Sequence, residues 1–161
     1  MIRQGTLHDA AQIAEIFNHY VRTSPVIFSE RELTATEMRS RLEQPLADGL
    51  PFYVSLSDDC VTGYCYAHRF MPDPVYGRTL EITVYLAPQA TGRGIGTQLL
   101  RRVIADCRAA GAHTLVSFVT SGNIACERLH RRCGFTAAGL IREAGFKLGR
   151  YWDDLILQLL L

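Results

Sequence analysis

Gln89-Ala90-Thr91-Gly92-Arg93-Gly94-Ile95-Gly96 decides the architecture of this chain through what flanks it. Before it, Thr79-Leu80-Glu81-Ile82-Thr83-Val84-Tyr85-Leu86 has the alternation of a strand, and Pro88 ends it. After it, Leu99, Leu100, Val103 and Cys107 recur at helical spacing, which predicts a helix from about Gly94 to Ala110 with Gly111 as its C-terminal cap. Glycines between a strand and a long helix let backbone N–H groups approach an anion closely, where the helix terminus adds partial positive charge. The arrangement suits a pyrophosphate, with Arg93 adding a full charge beside it. Two familiar phosphate loops fail the test. The fingerprint G-x-G-x-x-G breaks from Gly92, where position 97 is Thr, and from Gly94, where position 99 is Leu, and no Gly-Lys-Ser/Thr of a P-loop follows. A nicotinamide-dependent oxidoreductase is thereby set aside.

Working outward, Ile2 to Thr6 reads as a strand. Asp9 opens a helix with Ala10, Ile13, Ile16, Phe17 and Tyr20 on one face. Thr34 and Glu37 form a capping-box pair before a second helix carrying Met38 and Leu42. Phe52 to Ser57 and Val61 to Arg69 read as strands joined by an Asp58-Asp59 turn, and Pro72 and Pro74 mark a loop. Thr114 to Val119 is a further strand, and Asn123 to Arg132 a short helix stopped by Gly134. The remainder reads as loop and two strands, the last from Asp154 to Leu160. No repeat or Pro/Gly/Ser-rich linker interrupts the chain, so residues 1–161 are expected to form one domain. The fold class expected is α/β, a mixed and mostly antiparallel central sheet flanked by helices.

Composition narrows the function. A chain of 161 residues with 48% hydrophobic and 20% charged residues can bury a substantial core. Seventeen Lys and Arg against sixteen Asp and Glu leave a net charge of +1, so no nucleic-acid partner is expected. The five cysteines are odd in number, and no CxxC pair or zinc-spaced Cys/His cluster occurs, which predicts reduced thiols and no metal. The N-terminus has no signal-peptide core, and no apolar run reaches the roughly 18 residues needed to span a bilayer. A cytoplasmic protein without membrane contact is the expectation.

The motifs together resemble a known family. Gln89, Gly92 and Gly94 fill the Q-x-x-G-x-G positions of the coenzyme A loop of the GNAT acetyltransferases. Ile16-Phe17-Asn18-His19-Tyr20-Val21, Leu80 to Leu86, Asn123 to Phe135, and Gly145-Phe146-Lys147-Leu148-Gly149-Arg150 with Asp153 resemble, in order, motifs of its phosphinothricin acetyltransferase-like branch. The chain departs from that branch at Cys126, Arg131 and Tyr151. The resemblance implies acetyl-CoA as co-substrate, seated where the strand before the loop splays from its neighbour. It assigns the strand's cofactor contacts to Val84, Tyr85 and Leu86, the pyrophosphate to Gly92, Arg93, Gly94, Ile95, Gly96 and Thr97, and the pantetheine arm to Asn123. It also implies a homodimer.

The implied chemistry needs a base. An alkyl amine with a pKa of about 10.4 must lose a proton before it attacks a thioester, at about 4–5 kcal/mol at neutral pH. Glu81 lies mid-strand between Leu80 and Ile82, on the face shared with Thr83 and Tyr85, and the resemblance makes it the general base. His130 stands where the resemblance implies a second proton-transfer group, either donating to the leaving thiolate or accepting from the amine. Tyr76 and Arg78 are the expected substrate contacts, and Arg69, Lys147 and Arg150 are further cations that could meet a carboxylate. The expected reaction is direct acetyl transfer to the primary amine of a small amino-acid-like molecule. The alternatives are a protein or peptide acceptor, or a coenzyme A-binding sensor without chemistry.

Overall fold

The computed structural model describes residues 1–161. Its strands are β1 (Ile2–Gln4), β2 (Phe52–Ser57), β3 (Cys60–Arg69), β4 (Thr79–Leu86), β5 (Thr114–Thr120), β6 (Thr136–Lys147) and β7 (Arg150–Leu160). Its helices are α1 (Ala10–Thr23), α2 (Ala35–Ala47), α3 (Ile95–Ala109) and α4 (Ile124–Arg132). The strands form one sheet in the order β1-β2-β3-β4-β5-β7-β6, in which only the β4–β5 pair is parallel. The mixed, mostly antiparallel α/β architecture is the one expected.

Alternation along the central strands builds two cores. Tyr64 and Tyr66 of β3 join Phe52 and Val54 under α1 and α2, packed against Ile13, Phe17, Met38 and Leu42. Cys65 and Ala67 point the other way and join Leu80, Ile82, Leu99 and Val103 under α3. Asp58 and Asp59, with φ of 49° and 62°, turn β2 into β3 as expected. Thr34 caps α2 by accepting from the Glu37 N–H, while Glu37 accepts from the Thr34 N–H.

The C-terminal segment differs from its expectation. Residues 136–147, anticipated as partly loop, are one long strand, and β7 begins at Arg150 rather than Asp154. β6 is the sheet's edge and almost wholly exposed, so no apolar alternation marks it. Its register slips between Ala137 and Gly139 and again between Ile141 and Gly145, which breaks the period further.

The feature that positions the site is a divergence inside the sheet. β4 and β5 pair only at Thr79↔Thr114, Leu80↔Leu115 and Glu81↔Val116. Beyond Glu81 the two strands separate, β4 remaining paired with β3 and β5 with β7. Tyr20 of α1 fixes the free end of β4 by donating from its hydroxyl to the Leu86 carbonyl at 2.7 Å.

Candidate active site

A cavity of about 690 Å³ occupies the divergence. Glu81 to Leu86 of β4 line one side and the glycine loop one end, through Thr91, Gly92, Gly94, Gly96 and Thr97. Asn123, Cys126 and His130 line it from α4, and the α1–α2 connection closes it through Val26, Ile27, Phe28 and Ser29.

The loop is shaped for close approach. Gly92 and Gly94 take φ of 75° and 77°, and a Cβ at either would meet no atom within 4 Å, so the space in front of both is open. Gly94 caps α3, whose first N–H groups, on Ile95, Gly96 and Thr97, have no partner inside the helix. A Cβ on Gly96 would come within 3.2 Å of Leu129 Cδ2, so this glycine lets α3 and α4 pack closely. Two side chains of the loop lie outside the cavity lining. The Arg93 side chain, before the Gly94 cap, is exposed, and Ile95, the first residue of α3, packs against both cores. The cations that line the cavity from α4 are instead Arg128 and Arg132.

Glu81 sits at the apex of the divergence, as the last residue of β4 paired with β5. Its side chain is 27% exposed. Burial pushes its carboxyl above the ordinary range, while His68 and Arg41 pull it back down. His68 lies opposite on β3, with Nε2 3.7 Å from Glu81 Oε1, and its Nδ1 is 3.2 Å from the Arg69 carbonyl.

His130 is fully buried. Its Nδ1 lies 2.9 Å from the Cys126 carbonyl, and a carbonyl only accepts, so Nδ1 carries the proton and Nε2 a lone pair. Nε2 is buried without a hydrogen-bond partner. Desolvation lowers the imidazole pKa, with the Cys126 carbonyl opposing. A neutral His130 is therefore an acceptor at Nε2, and can donate from that atom only after taking up a proton there. Cys126 Sγ is 3.6 Å from Nδ1, but the pair is no nucleophile and base: Nδ1 already holds a proton and burial pushes the thiol up to about 12.

Asn123 lines the cavity while its side-chain oxygen caps α4, accepting from the Cys126 N–H at 3.2 Å. The expected substrate contacts do not reach the cavity. Tyr76 packs edge-on against Phe70, and Arg78 is exposed just before β4. Arg69 is held by Asp48 at 2.7 Å, and Arg150 lies over the Trp152 ring. Lys147 is buried and donates to the Ile27 carbonyl at 2.9 Å, pinning the α1–α2 connection. The charged residues that do line the cavity besides Glu81 are Arg31, Arg41, Arg128, Arg132 and Asp154. Burial, and then Glu81, raise the carboxyl pKa of Asp154. No sequence motif singled these out; Arg41 and Asp154 come from α2 and β7, remote from β4 in the chain. No group of three His, Cys, Asp or Glu side chains converges to hold a metal ion, and no helix is long and apolar enough to cross a membrane.

Residues 13–135 match the acetyltransferase (GNAT) family. The chain belongs to that family. Among GNAT relatives, a phosphinothricin N-acetyltransferase from Alcaligenes faecalis is 41% identical over 93% of this chain and 77% of its own. An L-methionine sulfoximine/L-methionine sulfone acetyltransferase from Salmonella typhimurium is 34% identical over 98% of this chain and 92% of its own. Among solved GNAT structures, a phosphinothricin acetyltransferase from Sinorhizobium meliloti in complex with acetyl-CoA superposes with a TM-score of 0.96 at 31% identity, covering 100% of this chain and 88% of that one. A ribosomal-protein-alanine N-acetyltransferase from Brucella melitensis superposes with a TM-score of 0.95 at 32% identity, covering 100% and 99%.

Proposed function

We propose that this protein transfers acetyl from acetyl-CoA to the primary amine of a small amino-acid-like molecule, of the phosphinothricin or methionine sulfone/sulfoximine type, by direct attack. The observation that carries the reading is Glu81, half-buried at the apex where β4 and β5 part, beside an unpaired strand edge that ends in a left-handed glycine loop. Val84, Tyr85 and Leu86 present that free edge to the pantetheine arm, the N–H groups of the Gly92–Thr97 loop receive the pyrophosphate, and Arg128 and Arg132 stand by as countercharges. Glu81 takes a proton from the arriving ammonium, directly or through a water. The freed amine attacks the thioester carbonyl, and the nitrogen then carries one proton too many. His130 Nε2 accepts that proton and returns it to the departing sulfur, leaving amide and free thiol. The neutral Cys126 thiol is consistent with transfer without an acyl-enzyme.

The likeness to a ribosomal-protein-alanine N-acetyltransferase favours one second reading, a protein N-terminus as acceptor. A sensor without chemistry is disfavoured by Glu81 and His130 both lining the cavity. In the proposed reading the protein works as one domain in the cytoplasm, as a homodimer. Leu140, Ile141, Phe146, Leu148 and Tyr151 leave apolar surface exposed on the β6–β7 hairpin for a second copy. Mass spectrometry of the acetylated product tests the acceptor class: incubation with acetyl-CoA, phosphinothricin, L-methionine sulfone and alanine-ended peptides should give acetylated amino acid. Acetylated peptide alone would replace this reading with the second.

Two outcomes follow at the site. His130→Phe keeps the ring's bulk and removes the acceptor, so turnover should fall roughly 10-fold or more. The thermal shift produced by acetyl-CoA should stay near that of the parent; unchanged turnover would make the residue a packing element only. Glu81 acts ionised, and burial raises its pKa above 4.5, so its protonation on acidification adds to that of the amine. On the acid side the slope of log kcat/KM against pH should therefore be steeper by about 1 in the parent than in Glu81→Gln, the contributions of the amine and of His130 being common to both. Equal slopes in a pH–rate profile would remove the carboxylate from the proton transfer.

A further inference from the structure

Four arginines line the large cavity, and they differ in where they stand. Arg31 is ion-paired with Glu37, and Arg128 and Arg132, without ion-pair partners, stand on α4, which the reading above gives to the cofactor side. Arg41 enters none of the chain's ion pairs. It projects from α2 over the Phe17 ring of α1, its guanidinium carbon 5.2 Å from the ring centre, beside the Tyr66 hydroxyl, which steadies the side chain and leaves its charge without a carboxylate partner.

Its location is informative. Arg41 also lines a second cavity of about 250 Å³, together with Gln44, Asp48, Tyr66, His68 and Arg69. The single carboxylate there, Asp48, is already bound by Arg69 at 2.7 Å. Arg41 and Tyr66 thus form the seam between two cavities, with a free cation at the seam. Glu81 shares the compartment. Its cross-strand partner His68 lines the smaller cavity, Glu81 lines the larger, and the charge of Arg41 is felt at the Glu81 carboxyl. One compartment therefore holds a carboxylate base for an ammonium and, for an anion, a planar guanidinium that no carboxylate of the chain neutralises.

We propose that Arg41 binds the anionic group of the acceptor, so that the site selects amines bearing a carboxylate or phosphinate over uncharged amines. This rests on the acetyl-transfer reading above and gives it a specificity determinant on α2. The guanidinium fork meets two oxygens of one anionic group, a geometry that lysine reproduces only as a point charge.

The test compares L-methionine sulfone with its carboxamide, the same molecule without the negative charge, as acceptors for the parent enzyme, Arg41→Gln and Arg41→Lys at saturating acetyl-CoA. Arg41 is exposed, so the variants should fold, and a retained acetyl-CoA thermal shift verifies it. The parent should prefer the acid. Arg41→Gln should raise KM for the acid about 10–100-fold and cut the acid-to-amide preference in kcat/KM at least 10-fold, the weight of hydrogen bonds to a charged group. Arg41→Lys should recover part of the preference. A preference unchanged in Arg41→Gln, with the parent active, overturns the anchor and leaves the acetyl-transfer reading standing. A parent enzyme that acetylates neither compound overturns both.

Discussion

Glu81→Gln is expected to lower turnover by roughly 10²–10⁴ at neutral pH, the range of a positioned general base. The substitution keeps the side chain's shape at the apex of the β4–β5 divergence and removes only its basicity. Three features of the site make the loss large. Glu81 is the last paired residue of β4, so its backbone is held by β3 on one side and β5 on the other. Burial raises its proton affinity, and His68 and Arg41 oppose the rise. The amine substrate, mostly ammonium at neutral pH, supplies little free base of its own. Raising the pH should partly rescue the variant, since free amine then accumulates without help. Parent-like turnover of Glu81→Gln at pH 7 with saturating amine would remove Glu81 from the mechanism.

Gly94→Val should abolish the thermal stabilisation by acetyl-CoA. A ligand at 100 times its Kd stabilises by about 2.7 kcal/mol, and that whole increment is expected to vanish. A Cβ at Gly94 meets no protein atom, so the new side chain stands in the open space the pyrophosphate is proposed to fill. The left-handed φ of 77° adds strain of roughly 1–2 kcal/mol for any L residue, which lowers the melting temperature of the ligand-free variant as well. Gly111→Val separates the two effects. Gly111 has φ of 83° and equally open surroundings but lies beyond the far end of α3, outside the cavity. It should lose stability and keep the ligand shift. A Gly94→Val protein that keeps the full shift would show that the loop does not contact the cofactor.

The segments legible in the sequence are those where one local pattern meets one environment. β4 alternates because one face meets α1 and α2 and the other α3, and that period placed Glu81 with Thr83 and Tyr85 before any coordinates. The glycines of the loop were legible because left-handed backbone at a strand-to-helix turn needs them. β6 was not legible: an edge strand exposed on both faces, with two register slips, leaves no period to read. Site charges were the weakest reading. Lys147 looked like any exposed cation, yet the hairpin carries it under the α1–α2 connection to meet the Ile27 carbonyl. Arg41 and Asp154 enter the cavity only through the packing of α2 on β3 and the pairing of β7 with β5, contacts that no local spacing announces. The role of His130 sharpened only with the Cys126 carbonyl in view, because that contact determines which ring nitrogen holds the proton.

The most direct test of the central claim is free-thiol release from acetyl-CoA by the purified protein, followed with and without phosphinothricin or L-methionine sulfone. Acetyl transfer to the amine predicts thiol release that depends on the amine, saturates with it, and matches the amide formed mole for mole. Release no faster with any amino-acid-like amine than with acetyl-CoA alone would contradict it.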